Sequence, residues 1–276
     1  MSKLVFSNLS RTKRDLIFWI CSIISFVAGI FVSVLQYIET TVNGYENESE
    51  SALFAFVIIT AILFPVFVSL FVGTEYSDGT IRNKIVSGQK RGAVYLANLI
   101  TCIIVGAIMC VLYIVPYICI SIPLLGSFTC GITPVILFTL AAVVLMIAFA
   151  SIFTLISMLC TSKAYSAVAC ILLSFLLLFI GIYITSSLNE PEYYDSFSYI
   201  ENGVEMTEEK ELNPHYLSGT KREVYEFLLD FIPGGQVIQI SGMKAKNPPI
   251  LALYSFIIIT FTTGAGLIVF RKKDLK

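Results

Sequence analysis

The residues best suited to chemistry are few and poorly placed for it. His215 is the only histidine, and no second histidine or cysteine stands near it to complete a metal site. Neither a His-Glu-x-x-His pattern nor a Gly-x4-Gly-Lys-Ser/Thr phosphate loop occurs, so the chain lacks the usual means of holding zinc or ATP. Cys21, Cys102, Cys110, Cys119, Cys130, Cys160 and Cys170 all lie in or beside apolar runs. That is the distribution of small apolar side chains, not of a disulfide framework. An intramembrane enzyme would need a nucleophile with its base, or a metal site, among the apolar runs, and neither is visible. No cofactor is expected on this chain.

Two polar segments carry the remaining signal. In 73–92, Glu75 and Asp78 precede Arg82 and Lys84, the order that suits a helix macrodipole, and Gly88 to Gly92 reads as a helix stop followed by a turn. A short polar helix on a membrane surface is predicted there, although on charge alone the stretch is an ordinary basic loop. The second segment is 189–249. Its first part, 189–222, is polar and acidic, whereas 223–232 places Val224, Phe227, Leu228 and Phe231 on one helical face. Pro233, Gly234 and Gly235 then end that helix.

The elements that hold these segments are apolar. Hydrophobic residues make up 57% of the 276 positions and charged residues 13%, about half the charge of a soluble domain at roughly 25%. Six runs free of Asp, Glu, Lys and Arg are long enough to cross a bilayer: Leu16 to Tyr37, Ala52 to Val72, Ala93 to Ser121, Ile132 to Cys160, Tyr165 to Leu188 and Ile250 to Phe270. Backbone in lipid must satisfy its own hydrogen bonds, and the alternation of a membrane barrel is absent, so an all-α membrane protein of six transmembrane helices is predicted. The first run is too long for a signal-peptide core and is expected to be retained. Pro65 and Pro116 fall inside runs and are expected to mark kinks. Trp19, Tyr37, Tyr113, Tyr117 and Tyr183 near run ends read as interfacial or packing residues.

Charge orients the bundle. With the N-terminus inside, Lys3, Arg11, Lys13, Arg14, Arg82, Lys84, Lys90, Arg91, Lys163, Arg271, Lys272, Lys273 and Lys276 all fall on the inner side. Outside remain only Lys210, Lys221, Arg222, Lys244 and Lys246, in one long loop where the positive-inside rule has little weight. Acidic residues show the reverse, with only Asp15, Glu75, Asp78 and Asp274 inside. Both termini are therefore expected in the cytoplasm, with 39–51, 122–131 and 189–249 external. The spans hold no ionisable group for ion coupling, which argues against an ATP-independent secondary transporter or channel, kept as the alternative function.

Residues Gly73, Glu75, Gly79, Thr80, Arg82, Lys84, Ser87 and Arg91 together resemble the characteristic region of ABC-2 family transporter permeases, a Gly-x-Glu, then Gly-Thr, then basic residues after the second span. Where that family often carries Pro near position 88 and Lys a few residues after the Arg, this chain has Gly88, Ala97 and Asn98. The order of two spans, a polar loop, three spans, a large external segment and a last span is similar to the family across the whole chain. The resemblance implies that 75–91 forms a coupling helix docking on a cytoplasmic ATPase, with Gly73, Glu75, Asp78, Gly79, Thr80, Arg82, Lys84 and Arg91 as the coupling residues. It further implies that 1–15 is an interfacial elbow helix, a role its composition suits.

For the external segment it implies short helices that partly re-enter the membrane, with Phe227, Leu228, Phe231, Pro233, Gly234 and Gly235 forming a lid or gate. The domain plan is then 1–15, spans and coupling loop in 16–188, external segment 189–249, and last span with basic tail 250–276. The implied function is the permease subunit of an ATP-driven exporter in the cell membrane. Its partners are ABC ATPase subunits that bind ATP and Mg, a second permease copy as homodimer or heterodimer, and lipid, with no nucleic acid. The uncharged spans favour an amphiphilic or hydrophobic cargo, and small size with this loop pattern resembles members that export peptide antibiotics or protect against them.

Overall fold

The computed structural model describes residues 1–43, 50, 52–194, 198–201, 204–207 and 210–273. Asp274 and Lys276, used above for orientation, and Glu46 and Glu48 of the external stretch 39–51 lie outside the described residues. The order is α1 (Ser2–Thr12), α2 (Leu16–Asn43), a 3-10 turn (Leu53–Ala55), α3 (Phe56–Ser77), α4 (Thr80–Val86), α5 (Arg91–Leu125), α6 (Ile132–Leu159) and α7 (Lys163–Leu188). Strands β1 (Ser198–Glu201) and β2 (Val204–Thr207) follow, then α8 (Gly219–Phe231), α9 (Pro233–Ser241) and α10 (Pro248–Lys272). Six of these helices are long and apolar enough to cross a membrane, and they correspond to the six predicted runs. The protein is a multi-pass helical membrane protein.

The chain departs from the all-α expectation outside the membrane bundle. Within the acidic stretch, β1 and β2 pair antiparallel in the register Ser198↔Thr207 to Glu201↔Val204, and a Tyr193↔Leu212 bridge continues the pairing. The all-α expectation therefore holds for the membrane bundle and not for the segment outside it.

Helix α3 is central. It touches α2, α5, α6, α7 and α9, and Phe64, Phe67, Phe71, Val68 and Val72 along it are fully enclosed. Helix α10 packs mainly on α6, α2 on α5, and α7 on α3 and α9. Because hydrocarbon offers no hydrophobic drive between helices, close backbone approach and hydrogen bonds across helices hold such bundles together. Both occur here. At Gly29 a Cβ would lie 2.4 Å from the carbonyl oxygen of Tyr113, so α2 and α5 cross nearly backbone to backbone. Ser33 donates to the Tyr117 carbonyl at 3.3 Å, the Tyr117 hydroxyl to Gln36 Oε1 at 2.7 Å, and Thr262 to Ser151 at 2.8 Å. Tyr113 and Tyr117, read as residues near a span end, stack on each other inside the core, whereas Trp19 and Tyr183 stay exposed. Helices α3 and α5 continue through Pro65 and Pro116 without a break in either element.

Two ends follow from the contacts. At the proximal end α1, α4, the α6–α7 turn and the last turn of α10 meet. At the distal end lie residues 50, 52–55, 126–131, 189–194 and 210–247. There Glu50, which is buried, accepts on Oε1 from the amide of Thr129 at 2.9 Å, its hydroxyl at 2.8 Å and the amide of Cys130 at 2.5 Å. Burial pushes the Glu50 carboxyl upward, but the hydrogen bonds from Thr129 and Cys130 outweigh it and leave the group below the usual carboxylate range.

Candidate functional site

The proximal polar segment is built differently from the single helix 75–91 predicted for it. Helix α3 runs on to Ser77 and takes Glu75 with it, so the charge order Glu75, Asp78, Arg82, Lys84 does not lie on one helix. Gly79, at φ +66, supplies the left-handed residue that lets the chain reverse direction. Only the seven residues of α4 then form the separate helix, and Gly88, at φ +89, turns the chain into α5. Gly92, predicted in the turn, is already in α5.

Glu75 is the centre of this end, and it is fully enclosed. Its Oε1 accepts from the Arg11 guanidinium at 2.8 Å and from the Lys84 ammonium, and its Oε2 accepts from the Asn98 amide at 2.7 Å. Asn98 Oδ1 accepts from the Asn8 amide at 2.6 Å, and Asn8 Oδ1 accepts from Lys84 at 2.9 Å. The circuit is closed: Glu75 to Asn98 to Asn8 to Lys84 and back to Glu75. Arg11 adds a bond to the Phe71 carbonyl at 3.3 Å and lies 3.9 Å over the Phe71 ring. Four elements, α1, α3, α4 and α5, are thus joined through one carboxylate.

A carboxylate removed from water at a span end is costly unless both oxygens are paired. Here two cations and an amide do so, and the Thr80 hydroxyl also ties the start of α4 to the Glu75 carbonyl at 3.0 Å.

A second set of contacts joins the last turn of α10 to the same end. The Lys273 ammonium donates to the carbonyls of Met158 and Leu159, both at 2.9 Å, and to the Tyr76 hydroxyl at 3.1 Å. These are the free carbonyls at the end of α6, where a cation is favoured by the helix dipole. Burial holds Lys273 below the usual lysine range. Arg91 in turn donates to the carbonyls of Arg271, at 3.1 Å, and Lys273.

The eight predicted coupling residues therefore divide. Glu75 and Lys84 face inward, and Thr80 ties α4 back to α3. Gly73 is buried where a Cβ would stand 3.0 Å from Lys163 Cα, and Arg91 serves the end of α10. Gly79 makes the turn. Only Arg82 and Asp78 are exposed, and the outward edge they begin continues through Asn83, Val86, Ser87, Gln89 and Lys90, with Val86 79% exposed. Sequence reasoning missed Asn8 and Asn98, since no local pattern links residues 90 positions apart. A polar Asn within an apolar run was the one available signal.

At the distal end α8 and α9 form a helical hairpin that enters the bundle. Pro233 starts α9 at its first turn as well as ending α8, a position that suits proline because its missing N–H is an orphan there. A Cβ at Gly234 would lie 1.7 Å from the Leu177 carbonyl oxygen, and one at Gly181 2.5 Å from Gly234, so two backbones touch. Leu177 is eleven residues before the end of α7, which sets the start of α9 about 16 Å down that helix at 1.5 Å per residue. Phe227 and Phe231 stack at 5.7 Å between centroids, with the Tyr254 ring of α10 edge-on to both. Leu228 is half-buried beside them. Gln236, enclosed, accepts from Ser255 at 2.6 Å.

Among the described residues no group of His, Cys, Asp or Glu is placed to hold a metal, His215 is exposed and all seven cysteines are free.

Six apolar spans, a short helix offered at one end and a helical hairpin tucked into the other define a polytopic membrane component. Residues 27–200, well over half of the chain, match the family described as ABC-2 family transporter protein. The chain belongs to that family, which supplies the membrane components of ABC transporters and usually works with ATPase subunits. Among curated proteins no sequence matches it.

Proposed function

We propose that the chain is the permease half of an ATP-driven exporter, engaged at α4 by a cytoplasmic ATPase subunit and paired with a second permease copy. The observation that carries this is the two-sided character of α4. Its inner side is fixed by Lys84 to the Glu75 circuit, while the side chains of Arg82, Asn83 and Val86 are exposed and have no partner among the described residues. An exposed apolar side chain between cations, on a helix held rigidly from behind, is the form of a contact for another protein.

Because α1, α3, α4 and α5 share one carboxylate, a push on α4 is carried to three other helices at once. ATP and Mg would be held by the partner, whose closure moves this end and rocks the spans about the path between two permease halves. In this reading α1 is the elbow helix, the proximal end is cytoplasmic, and the α8–α9 hairpin gates the external side. The apolar spans suit an amphiphilic or hydrophobic cargo, with peptide antibiotics the first candidates.

The test is co-purification with the ATPase subunit and its ATPase rate in proteoliposomes. Arg82→Ala and Val86→Asp should insert and fold normally yet lose at least about tenfold in subunit affinity, the scale of one interface contact of about 1.4 kcal/mol or more. Full coupled activity in both variants would overturn the assignment of α4.

A further inference from the structure

A cleft of about 380 Å³ opens between the two arms of the distal hairpin and the end of α7. Its apolar lining is Leu188, Leu229 and Ile238, and its charged lining is Arg222, Glu226, Asp230, Lys244 and Lys246. The charges are ordered along the hairpin. Asp230 is one residue from the close of α8, next to the turn into α9, so it lies at the inner end of the cleft. Arg222 belongs to the first turns of α8, and Lys244 and Lys246 follow the end of α9, so the cations stand at the mouth.

The pairing inside the cleft is incomplete. Arg222 and Lys246 both approach Glu226 Oε1, each at 3.5 Å, beyond the roughly 2.7–2.9 Å of a charge-assisted hydrogen bond. Asp230 Oδ1 accepts from the Gln239 amide at 2.8 Å. Among the described residues neither Asp230 nor Lys244 has an ion-pair partner, so an anion is set deep and a surplus of positive charge stands at the entrance. An anion and a group of cations set about two helical turns apart along α8, lining one small cleft, complement a zwitterion with ammonium inward and an anionic group outward.

The cleft lies where α7 leaves the apolar layer at Leu188 and α10 enters it after Asn247, the depth of lipid headgroups.

We infer that this cleft binds the phosphoryl-ammonium headgroup of an aminophospholipid, its ammonium on Asp230 and its phosphate among Arg222, Lys244 and Lys246. Primary ammonium is favoured over choline because Asp230 can accept a hydrogen bond only from N–H. The site needs no ATPase partner, so its test is independent of the transport reading.

The full chain, purified in detergent and stripped of lipid, is titrated with phosphatidylethanolamine, phosphatidylcholine and phosphatidylglycerol, and bound lipid is counted by native mass spectrometry. One phosphatidylethanolamine should bind at least fivefold more tightly than either other lipid. Arg222→Gln combined with Lys244→Gln should weaken all three about tenfold, the scale of lost hydrogen bonds between charged groups. Asp230→Asn should remove only the preference for ethanolamine. Arg222→Lys should restore part of the affinity in the Lys244 wild-type background, and unchanged thermal midpoints establish that each variant folds. Soluble glycerophosphoethanolamine separates the sources: competition at equal concentration would show that the free headgroup suffices, and its failure that the lipid form is required. Equal binding of the three lipids, indifference to all three variants, or displacement of lipid by a short amphiphilic peptide that responds to Asp230→Asn would each overturn the assignment.

Discussion

At the scale of single residues, Glu75 and Arg82 separate two effects that local charge order cannot tell apart. Both stand in one polar stretch, but Glu75 is enclosed by Arg11, Lys84 and Asn98 while Arg82 faces outward. Glu75→Ala leaves the Lys84 ammonium and part of Arg11 without a counter-charge at a span end. A loss of about 3–5 kcal/mol is expected, as for other broken buried pairs. Arg82→Ala should change stability by less than about 0.5 kcal/mol, as for surface positions generally. Thermal unfolding in detergent distinguishes them, and equal midpoints would mean that the circuit is not formed. The identity of Glu75 as a special residue was legible, because Gly-x-Glu before Gly-Thr is a recognisable pattern. Its partners were not. Asn8 and Arg11 read only as part of an interfacial helix, and their convergence depends on how α1 lies across α5, which is fixed by packing and not by local sequence.

At the scale of elements, the membrane helices were legible from their charge-free length, whereas the arrangement of α8 and α9 was not. Phe227 and Phe231 share a helical face, so α8 could be drawn from periodicity, and Pro233 marks where it stops. That Pro233 also begins a helix threaded against α7 depends on Gly181 and Gly234 meeting across the chain. Such a contact leaves no periodic trace. Gly234→Ala should therefore expel α9, since its Cβ would meet the Leu177 carbonyl and backbone cannot swing aside. Gly264 in α10 is the control: a Cβ there meets nothing within 4 Å, so Gly264→Ala should be neutral or stabilising by about 0.5–1 kcal/mol from helix propensity. Comparable destabilisation in both would show that α9 is not packed as described. The distal loops add a pH dependence. Glu50 has its pKa lowered in the fold, so its contribution is present at neutral pH and is lost as pH falls through the depressed value. Glu50→Gln should lose about 2 kcal/mol near neutral pH, the scale of a hydrogen bond to a charged group. It should also show a flatter acid limb than the parent, and parallel acid limbs would refute the tie to Thr129 and Cys130.

For the whole molecule, the deciding quantity is which end faces the cytoplasm. The contacts place Arg11, Arg82, Lys84, Lys90, Arg91, Arg271, Lys272 and Lys273 at the proximal end, around the circuit of Glu75 and the last turn of α10. Cations within a turn or two of span ends are those that orient a membrane protein, and the distal end has few of them: Lys244 and Lys246 shortly precede α10, and Arg222 lines the cleft beside Leu188. In the proposed reading the proximal end faces inward, a placement favoured by the gathering there of bases remote in sequence. Inward placement is also the only arrangement in which an ATPase could reach Val86 and Arg82. Ser87→Cys and Thr220→Cys, each in a background lacking the seven native cysteines, test it directly, both positions being exposed. A membrane-impermeant maleimide should label Thr220→Cys in intact cells and Ser87→Cys only after permeabilisation. The reverse pattern would put α4 out of reach of cytoplasmic ATP hydrolysis and refute the transport mechanism, while leaving the fold and its buried circuit untouched.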